Sequence, residues 1–306
     1  MDSALKESAV RENRKRFLTG LTTILLVLFF YSGSYAADSQ KNFLWKVRSK
    51  TGTVYMLGSI HYFKKEYYPL NKKIDDAFSE SSSLVVEADI NNPDKIDIRK
   101  LLVTAFYGGG DSLENHVSKE TYDLLKKEML LFGIPPELLN RQRPWFIALT
   151  VTASELIRLG YSPAHGIDVY FLSKAADKKI LELESMDYQI ALFSGLSDKE
   201  QEAMLLSALK ETKTLNRKVN QIVGAWKSGD AKTMESILAE DMKEDNGMSG
   251  IYEKLLYARN KEMTARIEDF LKTGDKYFVV VGAGHLVGSK GILELLRAKG
   301  YAIEQL

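Results

Sequence analysis

The chain has 306 residues, 45% hydrophobic and 27% charged, with 42 Lys and Arg against 41 Asp and Glu for a net charge of +1. That balance leaves no electrostatic footprint for nucleic acid, and a sequence without cysteine excludes disulfides, thiolate zinc, iron–sulfur clusters and a cysteine nucleophile. Any metal must be held by His, Asp or Glu, which suits Zn, Mn, Co or Fe(II), and the only histidines are His61, His116, His165 and His285.

The chain opens with basic residues Arg11, Arg14, Lys15 and Arg16, then an apolar run from Phe17 to Tyr31, then Ser32, Gly33, Ser34 and Tyr35-Ala36-Ala37. Basic, apolar, small is the order of a secretory signal peptide, with the cut expected after Ala36. The run is short of the roughly 20 apolar residues that span a bilayer. An uncleaved anchor is the other reading, and membrane contact is expected only through that segment. Residues 37–306 are expected to form one domain, periplasmic or secreted.

Phe43–Val47 and Val54–Leu57 read as a β-hairpin around Ser49-Lys50-Thr51-Gly52-Thr53, with glycine where positive φ is needed. Asn71–Ser81 is helical, with Ile74, Ala77 and Phe78 on one face. Leu84-Val85-Val86 is a short apolar strand followed by Glu87 and Asp89. Residues 98–134 are helical with a break at Gly108-Gly109-Gly110, and Pro144 precedes a helix from Trp145 to Leu159. His165-Gly166-Ile167-Asp168 starts a helix through Ala176, in which Asp168 is a candidate cap. Lys179–Glu184 is a strand. Ser197 to about Leu238 is a charge-rich helical stretch with a break at Gly229-Asp230, read as a solvated face or lid. Helix Ile251–Leu271, buried strand Tyr277–Val281, helix Lys290–Lys299 and strand Tyr301–Ile303 complete the chain. Strands alternating with helices imply a mixed α/β fold: a central sheet flanked by helices, with a mainly helical insert at about 98–160 and 197–271.

Two segments follow one plan. Val54-Tyr55-Met56-Leu57-Gly58-Ser59-Ile60-His61 and Phe278-Val279-Val280-Val281-Gly282-Ala283-Gly284-His285 are each an apolar strand, a glycine, two residues and a histidine. Ligands bind at the carboxyl ends of strands in open α/β sheets, so two such units converge if their strands are neighbours. Two imidazoles and a carboxylate with an open position make a water-activating metal site. Glu87, at the end of its own apolar strand, is the carboxylate to add. The plain alternatives are a hydrogen-bonded core histidine and a salt-bridged glutamate.

These residues resemble the TraB/GumN (TraB/PrgY/GumN) family, to which the Tiki metalloproteases are related. The resemblance rests on Phe43–Val47, Val54–His61, Leu84–Asp89, Gly166-Ile167-Asp168, Leu183-Glu184 with Gln189, Arg259-Asn260 with Met263, and Gly282–His285, in that order. It implies a central sheet with pseudo-symmetric halves, the two Gly-x-x-His units at one site, and a metal-dependent peptidase as one family activity, with Mn or Co as the ion type. Arg259 matches the family's arginine. It would hold a carboxylate or steady an oxyanion, the alternative being a helix-surface pair with Glu262. Asp168, Glu184 and Gln189 are candidates for orienting the site.

The combined expectation is an exported, metal-dependent, peptidase-like hydrolase. His61, Glu87 and His285 would hold Mn, Co or Zn, with Glu87 and Arg259 catalytic and a peptide or protein as substrate. The alternative is a non-catalytic peptide- or haem-binding protein using the same histidines. A third reading is a metal-free hydrolase with one histidine as base. No Gly-x-Ser-x-Gly elbow supports serine hydrolysis. His165 is read as a loop residue and His116 as a surface one. Tyr62, Tyr67 and Tyr68 are candidates for substrate contact or for packing.

Overall fold

The computed structural model describes residues 41–306 apart from 96, 132, 176 and 244–247. The stretch read as a signal peptide, with the cut expected after Ala36, lies outside the described residues. Strand β1 (Leu44–Arg48) pairs antiparallel with β2 (Thr53–Ser59) as the hairpin expected. The glycine of its turn has a different reason. Gly52 is not among the glycines of positive φ. A Cβ there would sit 2.6 Å from the Thr273 carbonyl oxygen and 2.8 Å from that of Leu271, so close approach of another backbone demands the glycine.

Helix α1 (Lys72–Glu80) is capped by the Asn71 side chain, which accepts from the Lys73 amide at 3.0 Å. Strand β3 is Ser83–Val86. Helices α2 (Ile98–Ala105), α3 (Lys119–Leu131) and α4 (Pro144–Arg158) form the first part of the helical insert. Helix α5 (Ile167–Lys174) and strand β4 (Lys179–Glu182) return to the sheet. The N-cap of α5 is Gly166, not Asp168, whose side chain is engaged elsewhere. Helix α6 (Met186–Ser194), which the sequence reading did not anticipate, is capped by Ser185.

The stretch read as one broken helix is three: α7 (Asp198–Glu211), α8 (Leu215–Ser228) and α9 (Ala231–Lys243). It is more than a solvated face. Leu205, Leu209, Val219, Val223, Trp226 and Met234 are all buried. Helix α10 (Met248–Tyr252) runs through a π-helical turn (Glu253–Tyr257) into α11 (Ala258–Lys272). Strand β5 (Lys276–Gly282), helices α12 (Ala283–Leu286) and α13 (Ile292–Ala298), and strand β6 (Ala302–Gln305) close the chain.

The six strands form one mixed sheet in the order β4-β3-β5-β2-β1-β6. Pairs β4–β3, β3–β5 and β5–β2 are parallel, and β2–β1 and β1–β6 are antiparallel. The three central strands are almost wholly buried, which is why they read as continuous apolar runs. Rings of Phe78, Phe171 and Phe278 join α1, α5 and β5, with centroids 4.8–5.4 Å apart. The insert has a separate apolar cluster, in which Leu125, Ile147, Leu205 and Leu209 tie α3, α4 and α7 together. No helix of the described residues is long and apolar enough to cross a membrane.

Candidate active site

Strands β2 and β5 are neighbours in register, with Gly58 opposite Val281 and Ser59 opposite Gly282. Both Gly-x-x-His turns therefore leave the sheet side by side. A Cβ on Gly58 would lie 2.4 Å from the Phe43 ring and 3.1 Å from Ala283 Cα, so only glycine lets the two turns approach. The indole Nε1 of Trp226 donates to the Gly58 carbonyl at 2.6 Å and fixes the first turn from the side of α8. Strand β3 flanks β5 on the other edge, pairing Val86 with Val280, and so delivers Glu87 to the same place. The Gly282 amide donates to Glu87 Oε1 at 2.6 Å.

Three predicted residues meet over Gly282. A methyl carbon built on its Cα would lie 3.3 Å from Glu87 Oε1, 3.4 Å from His285 Cδ2 and 3.7 Å from His61 Nε2. Each imidazole is oriented from behind. His61 Nδ1 bonds Asp168 Oδ2 at 2.8 Å, while Asp168 Oδ1 accepts from Ser59 Oγ at 2.6 Å. A Cβ on Gly166 would lie 2.4 Å from the His61 carbonyl oxygen, so the Gly166-Ile167-Asp168 turn can press against this backbone. His285 Nδ1 bonds Asn260 Oδ1 at 2.6 Å, and Asn260 Nδ2 donates to the Lys290 carbonyl at 2.8 Å. With its NH2 spent on a carbonyl, the amide presents only oxygen to the ring. His285 therefore carries its proton on Nδ1 and turns the Nε2 lone pair toward Glu87 Oε1, 3.8 Å away.

Behind Glu87 lies a second layer. Arg259 Nη2 donates to Glu87 Oε2 at 2.6 Å and to Glu184 Oε2 at 2.7 Å; its Nε reaches Glu184 Oε1 at 2.9 Å and its Nη1 the Leu255 carbonyl at 2.8 Å. Gln189 Nε2 donates to both glutamates at 3.2 Å. Among the described residues, Arg259 thus pairs with the buried Glu87 and Glu184 rather than with Glu262 on its own helix. Glu184 arrives because its amide continues the β3–β4 ladder, donating to the Glu87 carbonyl at 2.8 Å. The π-helical turn shifts the helical register just before Arg259, and both Arg259 and Asn260 engage the site.

The charges follow from this wiring. Burial pushes the Glu87 carboxyl up, but the positive charge of His285 in acid, where its ring is protonated, together with His61, Arg259 and the Gly282 amide, outweighs it and holds the group at about 2. Burial is also the main influence on His285 and takes it down to about 4, so its ring is neutral at pH 7. The Asp168 carboxylate raises His61 to about 9 against the pull of burial. The His61 side chain is 60% solvent-accessible at the mouth of the cleft, so water screens part of that effect.

His285 Nε2 and Glu87 Oε1 face each other as two acceptors without a proton between them. Behind each imidazole sits a carboxylate or amide oxygen of the kind that orients a metal-ligating histidine. The donor chemistry fits a divalent ion held by His61, Glu87 and His285. Among the described residues no three His, Asp or Glu side chains are drawn together at the spacing of a preformed metal shell. The cleft measures ≈ 470 Å³. Charged groups make its floor, and apolar side chains from α7–α10 and the π turn make its walls.

The other histidines stand apart from this centre. His116, read as a surface residue, is half-buried. Its ring stacks on Tyr107 at 4.3 Å and is held between Asp111 and Asp198 at 2.8 and 2.9 Å. His165, read as a loop residue, ends a single 3-10 turn (Pro163–His165) before Gly166. Its carbonyl accepts from the Tyr68 hydroxyl at 2.7 Å, and Tyr68 and Tyr67 pack on Phe63. Asn260, Ser59 and Trp226 went unassigned in the sequence reading. Asn260 had one available signal, its place beside Arg259 in a motif already noted.

The profile of the TraB/PrgY/gumN family matches residues 43–305, and the chain belongs to that family. It is 27% identical to YbaP of Escherichia coli K12, an uncharacterized protein, over 79% of this chain and 87% of that one. It is 23% identical to metalloprotease TIKI2 of Danio rerio, over 87% of this chain and 62% of the relative. With human metalloprotease TIKI1 the identity is 23%, over 86% and 61%. The chain thus spans about three fifths of those Tiki proteins. No solved structure matches the chain.

Proposed function

We propose, with family membership as the premise, that this chain is an exported peptidase-like hydrolase using a divalent ion, Mn, Co or Zn, held by His61, Glu87 and His285. The observation that carries the reading is the meeting of two oriented imidazoles and an ionised carboxylate over Gly282. The naming of the Tiki relatives as metalloproteases supports it. The N-terminal segment supports export.

When bound, such an ion supplies a Lewis acid and a water activated near neutral pH. The chain's own residues do the rest. Asp168 holds His61 by Nδ1, so that Nε2 is the atom presented to the cleft. Asn260 holds the Nε2 lone pair of His285 toward Glu87. Arg259 keeps Glu87 ionised while leaving Oε1 on the cleft side. Because its Nε and Nη2 are committed to two glutamates, Arg259 acts in this proposal as a clamp on Glu87 rather than as a direct partner of the substrate carbonyl. The apolar walls limit water around the reacting groups.

Metal analysis and cleavage of a peptide library, run on the wild type and His285→Ala together, test the reading. The wild type should hold about one ion per chain and cleave, and the variant should lose both while keeping its fold by circular dichroism. Full metal content and full turnover in His285→Ala would overturn the assignment. One second reading has no metal: above about pH 9, where His61 is neutral and Asp168 still holds its Nδ1, Nε2 takes a proton from water. Cleavage that survives chelation would select it.

A further inference from the structure

The charged and apolar parts of the cleft come from different elements. Glu87, His285 and Arg259 stand on the sheet ends and on α11, at the floor, and His61 stands at the mouth. The walls include Met204 of α7, Ile222 of α8, Leu238 of α9, Met248 and Ile251 of α10, and Leu255 of the π turn. Apart from the hydroxyl of Tyr252, also of α10, the side chains of these walls carry no charge or strong hydrogen-bonding group. A volume of ≈ 470 Å³ falls within the range of sites that enclose small ligands, about 300–1,000 Å³. A charged side chain entering such a wall loses hydration and meets no counter-charge, whereas an apolar one exchanges water for contact. Methionine and leucine side chains also repack around occupants of differing shape.

We propose that the helical insert is a specificity hood, and that the substrate is a peptide placing one large uncharged side chain, of Leu, Met or Phe type, against these walls beside the scissile bond. This rests on the hydrolase reading for its bond-cleaving part. The side-chain selectivity rests on the walls alone. Selection is by exclusion of charge, because an apolar wall discriminates methylenes only weakly but rejects unpaired charge strongly. The floor holds the peptide group and the insert chooses the residue next to it, so sequence changes in α7–α10 would retune preference without touching His61, Glu87 or His285.

The test uses the full chain loaded with Mn and decapeptides of Gly, Ala and Ser with one varied position, cleavage being located by mass spectrometry. In parallel, fluorescein-labelled copies are titrated in EDTA and binding is read by anisotropy. Peptides with Leu, Met or Phe next to the cut should exceed those with Asp or Lys by about 10–100-fold in cleavage rate, and should bind more tightly in EDTA. Met204→Glu should move the preference toward Lys at that position. Met248→Glu is the second variant, should the first fail to fold. Cleavage or binding indifferent to the varied side chain, or an unchanged profile in folded Met204→Glu and Met248→Glu, overturns the hood and leaves the hydrolase standing. Apolar-selective binding with no cleavage under any ion supports the hood and overturns the hydrolase. Neither binding nor cleavage overturns both.

Discussion

Arg259→Met isolates the energetic centre of the site. Arg259, Glu87 and Glu184 have side chains only 11%, 10% and 3% accessible, so two buried carboxylates share one guanidinium. Methionine keeps the length and the apolar stem but withdraws the charge. Removing one partner of a buried ion pair costs about 3–5 kcal/mol, because the remaining charge stays buried without compensation. For a domain of this size each kcal/mol moves Tm by roughly 2–4 °C. Multiplying the ranges gives a loss of roughly 6–20 °C. Adding Glu184→Gln should recover part of it, since one of the two stranded charges is then gone, and that recovery separates charge from packing. Differential scanning calorimetry at pH 7 on wild type, single and double variants is the assay. An Arg259→Met protein melting within 2 °C of the wild type, or a double variant less stable than the single, would refute the reasoning.

Three further outcomes follow from the same geometry. Because folding raises His61 toward about 9 from an ordinary value near 6.5, the folded state binds more protons between those values. Its stability contribution is therefore full below about 6.5 and lost as pH rises toward 9; urea midpoints should fall across that window, and Asp168→Asn should flatten the fall. Metal uptake must displace the His61 proton below about pH 9. Affinity for Zn or Mn should thus increase with pH up to that point with proton release, as calorimetry in buffers of different ionisation enthalpy would show; pH-independent uptake would count against His61 as a ligand. Gly58→Ala forces a carbon to within 2.4 Å of the Phe43 ring and should cost about 1–3 kcal/mol by chemical denaturation, with a loss of activity because both histidine turns shift.

Much of the fold was legible because it is written in local patterns. The continuous apolar runs at 54–57, 84–86 and 277–281 read as strands, and all three became the buried centre of the sheet. Element ends were read to within a few residues where a cap or glycine marks them, as at Asn71 and Gly229. The division of 197–238 into three helices was harder to see, since the break at 212–214 has neither glycine nor proline. Helix α6 was missed because its nine residues are too few to show a convincing period.

The sequence by itself determined which side chains were available for chemistry. With four histidines and no cysteine, repetition of strand–Gly-x-x-His singled out His61 and His285, and a carboxylate at the end of an apolar strand singled out Glu87. What it could not determine is who neutralises whom. Arg259 reads equally well as a surface pair or a substrate ligand, and Asp168 reads as a helix cap. Only the sheet order, which sets β5 between β3 and β2, brings Glu87, His61 and His285 together. Only the packing of α5 and α11 against those strand ends gives Asp168 to His61, Asn260 to His285 and Arg259 to the two glutamates. Those partners are 25 to 172 residues apart in the chain. Hydrogen bonds and ion pairs reach only about 3 Å, so no local pattern can encode such contacts until the tertiary fold has closed the distance.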